Sequence, residues 1–417
     1  MWQFYTEYKD NTILQSLVAE ISGFKSVILS ITLIFATLTA MSQTYHEDDK
    51  EGLRIFLRQP SAEKGKINAQ LLGLQIKDTV DWYKNEKWVK KLEGRFIWNK
   101  EKPKQLIEIG WYQKILAGTL DASKWTELEY LWCYNNQLTS LNLTANAKLQ
   151  RLNCSHNQLS KLDVCAIVEL WELSCSYNQL TELDVSTNTK LRQLSCSYNQ
   201  LSVLNISSNM ELGSLSCYNN QLTELDLSAN TGLCYLSCSD NQFKTLNLSI
   251  NTMLRELHCS KNQLTELDLS VNPKLQHLSC SDNQLNTLYI NANVKFHWLS
   301  CYNNGLLLSD LFANAERVKD NIPIYYRPLG TQTLFTQTIS IGKELEFSTP
   351  QNVFNGIYTE FSVTQNDNPT PENDYTVTEG KITFNKTGTY TVKMTNKAII
   401  SSPNYPAEVI IEITVTE

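Results

Sequence analysis

The chain has 417 residues, with 43 acidic and 36 basic side chains and a formal net charge of −7 at pH 7. An acidic balance provides no electrostatic attraction to phosphate, which argues against a nucleic-acid partner. The sequence contains no G-x-S-x-G, no H-E-x-x-H and no phosphate loop, so it predicts neither an enzyme nor a cofactor.

Residues 1–42 are predicted to be a signal peptide or a signal anchor. Val27 to Ala40 is an apolar run of 14 residues, which suits the core of a signal peptide and is short for a membrane span. Small residues at Ala40 and Ser42 fit a cleavage site, so the mature chain is predicted to begin at Gln43. The long polar stretch before the run leaves an uncleaved anchor or a misassigned start codon as alternatives. We therefore expect a secreted or cell-surface protein with no stable membrane span after signal cleavage.

Residues 43–127 are predicted to form an N-terminal cap that covers the open end of a repeat array. Leu53, Phe56 and Leu57 lie on one face of a helix that the pattern ends at Pro60. The last part of the segment has apolar residues at about the spacing of the later repeats, which indicates a degenerate first coil. We interpret five tryptophans as the core of this cap: Trp82, Trp88, Trp98, Trp111 and Trp125.

The array that follows, over residues 128–317, has a period of 21 residues that is kept nine times. A strict repeat of this length predicts a stacked solenoid, in which each coil contacts only its neighbours. The period is kept by nine cysteines: Cys133, Cys154, Cys175, Cys196, Cys217, Cys238, Cys259, Cys280 and Cys301. It is kept as well by the asparagine three residues after each of them: Asn136, Asn157, Asn178, Asn199, Asn220, Asn241, Asn262, Asn283 and Asn304.

Each coil follows the pattern L-x-x-L-x-C-x-x-N-Q-L-T-x-L-D-L-S-x-N-T-x, a leucine-rich repeat signature with cysteine in the last apolar slot of the strand. Leu131 and Cys133 alternate with Tyr130, Trp132 and Tyr134, which predicts a short strand with one face inward. We expect a mainly β protein in which the cysteine halves stack into a parallel sheet on the concave side. The second half of each coil resembles the first and is expected to give a short convex strand, so the assignment of the concave side is a hypothesis.

The repeated cysteines and asparagines are expected to have structural roles. Cysteines in adjacent coils point the same way about 4.8 Å apart, whereas a disulfide needs Cβ atoms about 3.8 Å apart on converging bonds. We therefore interpret the cysteines as small buried hydrophobic residues with free thiols. The asparagines are expected to bond buried backbone amides where the chain turns. In the second coil Ile167 replaces the second corner asparagine, so we expect a local distortion there.

Residues 318–417 change in composition from leucine to Thr, Val, Ile and Tyr. Several segments largely alternate apolar and polar residues, with Gly, Pro and Asn between them, which is typical of short strands. Roughly 100 residues of this kind predict an immunoglobulin-like β-sandwich, here without a cysteine pair. Tyr390 is interpreted as a tyrosine-corner residue, and Tyr325–Thr331 as the joint with the array.

The cysteine-containing repeats resemble those of the internalin-J-like, cysteine-ladder leucine-rich repeat proteins of host-associated bacteria. The resemblance covers Leu128 to about Val318, a little under half of the chain. It implies a role in extracellular adhesion or in binding other proteins or glycans, without implying a particular ligand. Internalins also couple such an array to an immunoglobulin-like module, usually as a spacer or clamp.

The outward side chains of the predicted concave strands vary between coils and include many aromatic residues. Aromatic side chains on a rigid sheet are good anchors for a ligand, although single exposed aromatic residues are also ordinary. We predict no metal site and interpret the nearby Glu256, His258 and His277 as surface residues, although such a set is compatible with zinc. The predicted ligand-binding residues are Tyr130, Trp132, Tyr134, Arg151, His156, Tyr177, Tyr198, Tyr218, Tyr235, His258, His277, Trp298 and Tyr302.

These features favour a monomeric, non-catalytic recognition protein whose partner is an extracellular protein or a glycan. The alternative is a structural spacer or matrix component of the cell envelope or of a biofilm. A carbohydrate-processing accessory protein is a third possibility.

Overall fold

The computed structural model describes residues 45–75, 87–318, 328–347 and 349–417. The predicted signal segment, Trp82 and the first residues of the predicted joint lie outside these ranges. Among the helices of the described residues, none is long and apolar enough to cross a membrane.

The described part is mainly β. Its α-helices are α1 (Glu47–Leu57), α2 (Asn68–Leu71), α3 (Lys87–Lys91) and α4 (Leu308–Val318). Its strands are β1 (Phe96–Trp98), β2 (Leu106–Gly110), β3 (Ala117–Asp121), β4 (Tyr130–Trp132), β5 (Gln137–Asn142), β6 (Arg151–Asn153), β7 (Glu172–Ser174), β8 (Gln193–Ser195), β9 (Ser214–Ser216), β10 (Tyr235–Ser237), β11 (Glu256–His258), β12 (Glu266–Leu269), β13 (His277–Ser279), β14 (Thr287–Ile290), β15 (Trp298–Ser300), β16 (Thr331–Thr333), β17 (Gln337–Ser340), β18 (Val353–Phe354), β19 (Ile357–Tyr358), β20 (Glu360–Gln365), β21 (Asn368–Pro369), β22 (Tyr375–Thr378), β23 (Lys381–Phe384), β24 (Gly388–Thr395) and β25 (Glu408–Thr416).

The cap is packed around the helix and the tryptophans that the sequence indicates. The buried face of α1 includes Leu53, Phe56 and Leu57, and three acidic residues in its first turn suit the positive end of the helix dipole. Phe56 stacks on Trp111, with ring centroids 5.0 Å apart, and Trp111 meets Trp125 edge-on at 5.9 Å. Trp111 and Trp125 have no exposed surface. Trp111 and Trp125 therefore belong to the core that closes the first coil.

One eleven-stranded sheet runs along the described array, and we call it the front sheet. Its order is β1-β2-β4-β6-β7-β8-β9-β10-β11-β13-β15. β1 and β2 are antiparallel, and every later pair is parallel and in register, as in Tyr235↔Glu256. The strands come from the cysteine halves of the coils. The second halves form only the pairs β3–β5 and β12–β14 in the described residues, so most of the predicted convex strands are extended segments without ladder bonds.

The cysteines and leucines fill the interior, and the asparagines hold the coils together. All nine repeat cysteines are fully buried, and all eleven thiols of the chain are free, as predicted. Asn199 shows the common pattern: its Nδ2 donates to the carbonyls of Cys175 (3.1 Å) and Cys196 (3.0 Å). Its Oδ1 accepts from the Leu180 amide at 3.0 Å. Each asparagine of this asparagine ladder thus joins its own coil to the coil before it.

The second coil does not show the distortion that we expected. Ile167 is fully buried, and β6, β7 and β8 pair in register on either side. The reason is the direction of the bonds: Asn188 donates backwards to the carbonyls of Val164 (3.0 Å) and Ile167 (2.7 Å). Replacing the asparagine by isoleucine removes a donor to the preceding coil but leaves its own backbone paired.

Residues of the C-terminal region complete the array. Gln332 is fully buried, and its Nε2 donates to the carbonyls of Cys301 (3.0 Å) and Leu329 (2.8 Å). Its Oε1 accepts from the Leu306 amide at 3.3 Å. This is the bonding pattern of the asparagine ladder, with Leu329 in the place of the cysteine. Residues 328–333 therefore form a partial tenth coil, which we call the terminal rung.

The remaining strands form sheets in an arrangement consistent with an immunoglobulin-like sandwich. β16 and β17 run parallel to β25. Along the rest of this sheet each neighbouring pair is antiparallel: β25 with β24, β24 with β20, and β20 with β21. β22 and β23 form a separate antiparallel pair. Tyr390 is fully buried and its hydroxyl donates to the Lys386 carbonyl at 3.2 Å, the bond that a tyrosine corner makes.

Candidate ligand-binding face

The outward side of the front sheet has four columns of side chains, which coil four shows as Gln193, Ser195, Ser197 and Tyr198. The first and third of these residues are four positions apart, so the columns span about 13 Å. Serines in the second and third columns pair between coils, with Oγ–Oγ distances such as 2.8 Å for Ser176 and Ser195 and 3.0 Å for Ser197 and Ser216. Ser197 has no exposed surface. The serines therefore form a flat floor whose hydroxyls are already bonded.

A stack of rings stands along one side of this floor, and we call it the aromatic ladder. It consists of His156, Tyr177, Tyr198 and Tyr218. Its ring centroids are 4.0, 4.1 and 5.0 Å apart in that order. The first two contacts are face to face, and the third is edge-on. Tyr177 and Tyr198 stay 38% and 36% exposed, so the ladder presents ring edges and hydroxyls to solvent.

The backbone of the ladder is in an uncommon conformation. The fourth-column residue of every coil has a positive φ between 51° and 56°, which is the left-handed region. Asparagine and aspartate tolerate this region better than bulky residues. They occupy it in five of the nine coils, and the full set is Asn135, His156, Tyr177, Tyr198, Asn219, Asp240, Lys261, Asp282 and Asn303. Tyrosines at this position in two consecutive coils, Tyr177 and Tyr198, therefore carry a cost in backbone conformational energy.

The hydroxyls of the aromatic ladder interact with one another. A hydrogen bond with Tyr177 is the main cause that raises the pKa of Tyr198 above its ordinary value. The pKa of Tyr177 is raised as well, by local desolvation and by a hydrogen bond with Tyr218. Farther along the column, beyond Asn219, Lys261 lies 3.8 Å from the carboxylate of Asp240. The raised pKa values keep Tyr177 and Tyr198 uncharged at neutral pH.

At the N-terminal end, Tyr130, Trp132 and Tyr134 are half-buried on β4 and the turn after it. The Tyr134 ring stacks on Tyr112 of the preceding coil at 5.0 Å.

Arg151 is held by two neighbours that reduce its freedom to bind a ligand. Its guanidinium lies 4.0 Å from the ring of Trp171, and its Nε is 3.3 Å from the carboxylate of Glu172.

At the C-terminal end, His258 and His277 flank Glu256. Their ring nitrogens are 3.9 and 3.7 Å from its carboxylate oxygens, which are ion-pair distances rather than those of a metal centre. Burial lowers the pKa of His258, and the nearby Glu256 opposes that effect. Tyr235 lies 6.0 Å from the His258 ring. In the described residues no group of three His, Cys, Asp or Glu side chains could hold a metal ion.

Trp298 and Tyr302 lie next to the terminal rung. Trp298 is half-buried on β15. The Tyr302 ring stacks on Tyr405 at 4.8 Å, and a Cβ on Gly330 would come within 2.1 Å of the Tyr302 Cβ. Gly330 has a φ of 66°, so glycine is required there both by space and by backbone conformation. Tyr302 thus contributes to the joint between the array and the C-terminal sheets.

Sequence reasoning missed several residues of this face. Tyr112 extends it into the opening coil, and Trp171 stands one position before β7, where it supports Arg151. The alternation of Ile109 and Trp111 inward could have placed Glu108, Gly110 and Tyr112 outward. Nothing in the repeat pattern indicates the left-handed turn, because the pattern shows which residues are buried and not where the backbone angle φ is positive.

The described fold is similar to known leucine-rich repeat structures. The functional domain of InlJ from Listeria monocytogenes, which includes a cysteine ladder, is 27% identical, with a TM-score of 0.62 over 76% of this chain and 69% of that one. The PEPR1–AtPEP1 structure is 18% identical, with a TM-score of 0.51 over 70% of this chain and 46% of that one, and it shares the fold. No family model matches the sequence. No curated protein matches it either.

Proposed function

We propose that this chain, an internalin-like leucine-rich repeat solenoid, is a secreted or cell-surface protein that binds a protein or glycan partner on its front sheet. The aromatic ladder is the part of that surface with the strongest claim to contact the partner. The remaining predicted residues, including Tyr130, Trp132, Tyr235 and Trp298, would extend the contact toward the two ends. The protein acts as a monomer in this proposal.

The main support for this proposal is the pair of tyrosines, Tyr177 and Tyr198, in the left-handed turns of two consecutive coils. A left-handed conformation costs a bulky residue about 1–2 kcal/mol, and the other coils mostly avoid this cost with Asn or Asp. Stacking between rings returns about 0.5–1.5 kcal/mol, so Tyr177 and Tyr198 bring little or no net stability. Strained residues that the surrounding fold holds in place are typical of functional sites. Their rings are also exposed and rigid, as binding anchors need to be.

Binding fits the chemistry of the chain better than catalysis. Burial raises the pKa of the thiols of Cys154, Cys196 and Cys259 to about 12, which opposes nucleophilic use of the cysteine ladder. The floor serines Ser176, Ser195, Ser197 and Ser216 are bonded to one another in pairs, so their hydroxyls are already occupied. The front sheet therefore offers shape, rings and fixed polar groups rather than a reactive centre.

The test replaces both ladder tyrosines by the residue that other coils use. We expect Tyr177→Asn combined with Tyr198→Asn to lower binding of the labelled full chain to cultured cells and to a glycan array by about tenfold or more. The free energy of unfolding should change by less than about 1 kcal/mol, because lost stacking and relieved backbone strain offset each other. Binding and denaturant unfolding are measured on the same samples.

The matched control is Tyr289→Asn, which removes an exposed tyrosine of β14 from the opposite side of the coils. It should leave binding unchanged. Binding that persists in the double variant, or that is lost equally in the control, would contradict a role for the aromatic ladder.

A structural spacer is the second candidate. The terminal rung favours it, because Gln332 fastens the C-terminal sheets to the array as the asparagines fasten coil to coil. A spacer predicts that neither the double variant nor the control alters any interaction of the protein, and that both stay folded.

A further inference from the structure

A depression of about 510 Å³ lies at the N-terminal end of the front sheet, apart from the aromatic ladder. Its volume falls within the range of roughly 300–1,000 Å³ that is typical of small-molecule sites. The opening coil and the β1–β2 hairpin line one side, and the first two coils of the array line the other. It contains Trp132 and Tyr134 together with residues that the repeat pattern does not cover.

A glycine leaves space beside the Trp132 indole. Gly110 is the partner of Trp132 in the pairing of β2 with β4, so their outward positions are neighbours. A Cβ built on Gly110 would meet a single atom within 4 Å, Cε1 of Tyr112, at 3.7 Å. The space above this glycine is therefore open, and a ligand can enter it from the front and lie beside the indole.

Polar groups surround this space on three sides. Glu108 occupies the outward position on β2 beside Tyr130, and Arg95 lies at the rim near Ile97. Asn153 is the neighbour of Trp132 on the opposite side, and its Oδ1 is fixed by a hydrogen bond from the Ser155 amide at 3.1 Å. One carboxylate, one guanidinium and one amide thus provide donors and acceptors around a ring, with no net charge.

We propose that this depression binds a neutral hexopyranose unit of a glycan, with the Trp132 indole as the surface on which the sugar lies. A pyranose has a face of C–H groups that suits the negative face of an aromatic ring, and a rim of hydroxyls that need donors and acceptors. The balanced pair of Arg95 and Glu108 favours a neutral sugar over an acidic one. The inference rests on the proposed function, since it names the chemistry of one partner of the front sheet.

The experiment measures saturation-transfer NMR of the full chain at millimolar sugar concentration. The probes are the methyl pyranosides of glucose, galactose, mannose and N-acetylglucosamine, with sialic acid as the acidic comparison. At least one neutral pyranoside should receive saturation from the wild-type protein. Trp132→Ala should weaken that signal about tenfold or more, because it removes the stacking surface. Gly110→Val should do the same by filling the space beside the indole while keeping every ligand-contacting residue. Valine suits this strand position, and Gly110 has no positive φ that would strain it.

Gly213→Val is the matched control, because Gly213 immediately precedes β9 in the middle of the array and a Cβ there has only ordinary contacts at 3.9 Å. It should keep the wild-type signal and thermal midpoint. The proposal is overturned if no neutral pyranoside receives saturation, if sialic acid alone does, or if the signal survives both Trp132→Ala and Gly110→Val. Loss of cell binding in the double tyrosine variant, with no pyranoside bound here, would reject this site and leave the role of the aromatic ladder standing.

Discussion

The cysteine of each coil occupies a crowded corner. Its carbonyl oxygen accepts from two asparagines, as the Cys175 carbonyl does from Asn178 at 3.0 Å and from Asn199 at 3.1 Å. A short side chain fits beside this double acceptor and still contributes apolar volume to the interior. The same burial that makes cysteine suitable also keeps its thiol protonated.

Thiol reactivity should divide the cysteines sharply by position. At pH 8 in native protein, Cys165 should react fast with a disulfide reagent because it is exposed, and Cys234 more slowly because it is half-buried. The nine repeat cysteines should react only after denaturation. Burial holds the pKa of Cys154, Cys196, Cys259 and Cys301 at about 12, so raising the pH to about 9 leaves these thiols protonated.

The control for this measurement is Cys165→Ser, which should remove the fast phase alone. Denatured protein that was never reduced should yield all eleven thiols. A lower count would mean disulfides, and additional fast thiols in the native state would mean that the cysteine ladder is accessible.

At the scale of elements, the sequence predicted the strands and the helix that have a local hydrophobic pattern, and it did not predict the elements that close the end of the array. The front strands follow from the alternation around each cysteine, and α1 follows from its apolar face, because both patterns are local. The convex strands were overestimated, because their alternation shows burial but does not ensure ladder bonds to the next coil. Helix α4 was not predicted, because Leu306 to Leu308 were interpreted only as the end of the array. The terminal rung could not be predicted, since Gln332 follows α4 and falls outside the 21-residue period of the asparagines.

The terminal rung makes a stability prediction. Gln332→Ala should lower the free energy of unfolding by about 1–3 kcal/mol, because it leaves the buried Leu306 amide and the Cys301 carbonyl without their partner. Denaturant unfolding followed by circular dichroism measures the change. Hydrogen exchange should also become faster at the last coil than in the middle of the array.

Gln284→Ala is the comparison, because Gln284 is an exposed glutamine of the eighth coil. A surface change of this kind should stay within about 0.5 kcal/mol. Equal stability of the two variants would show that the terminal rung does not bind the C-terminal sheets to the array.

At the scale of the molecule, each coil packs only against its neighbours, so the sequence pattern of one coil was enough to predict the structure of the whole solenoid. Every contact of the asparagine ladder lies within one coil or joins it to an adjacent coil, so a single register fixes all of them. The geometry of the front sheet could be predicted only in part, because its floor, its left-handed turns and its N-terminal depression depend on side chains from several coils and from the cap. Their mutual packing has no local signature.

A coil should be removable as a unit. Deleting residues 201–221 joins Gln200 to Leu222 and restores the repeat pattern, because 21 residues make one period. The product should keep its β-rich circular dichroism spectrum and a cooperative transition at a lower denaturant midpoint, since the number of stacked interfaces falls.

Deleting residues 201–210 is the control, because it removes about half of a coil and leaves the chain unable to close the turn. That variant should lose cooperativity. Equal behaviour of the two deletions would mean that the coils do not stack as independent units.

The terminal rung also decides how the protein would transmit force. Asn303 and Asn304 pair with residues 331–333, and that same segment lies beside β25 of the C-terminal sheet. Tension between a partner held on the array and an anchor on the C-terminal sheets therefore passes through strand pairing as well as along the chain. A protein joined in this way holds its front sheet at a fixed angle to the C-terminal sheets and resists rotation between them.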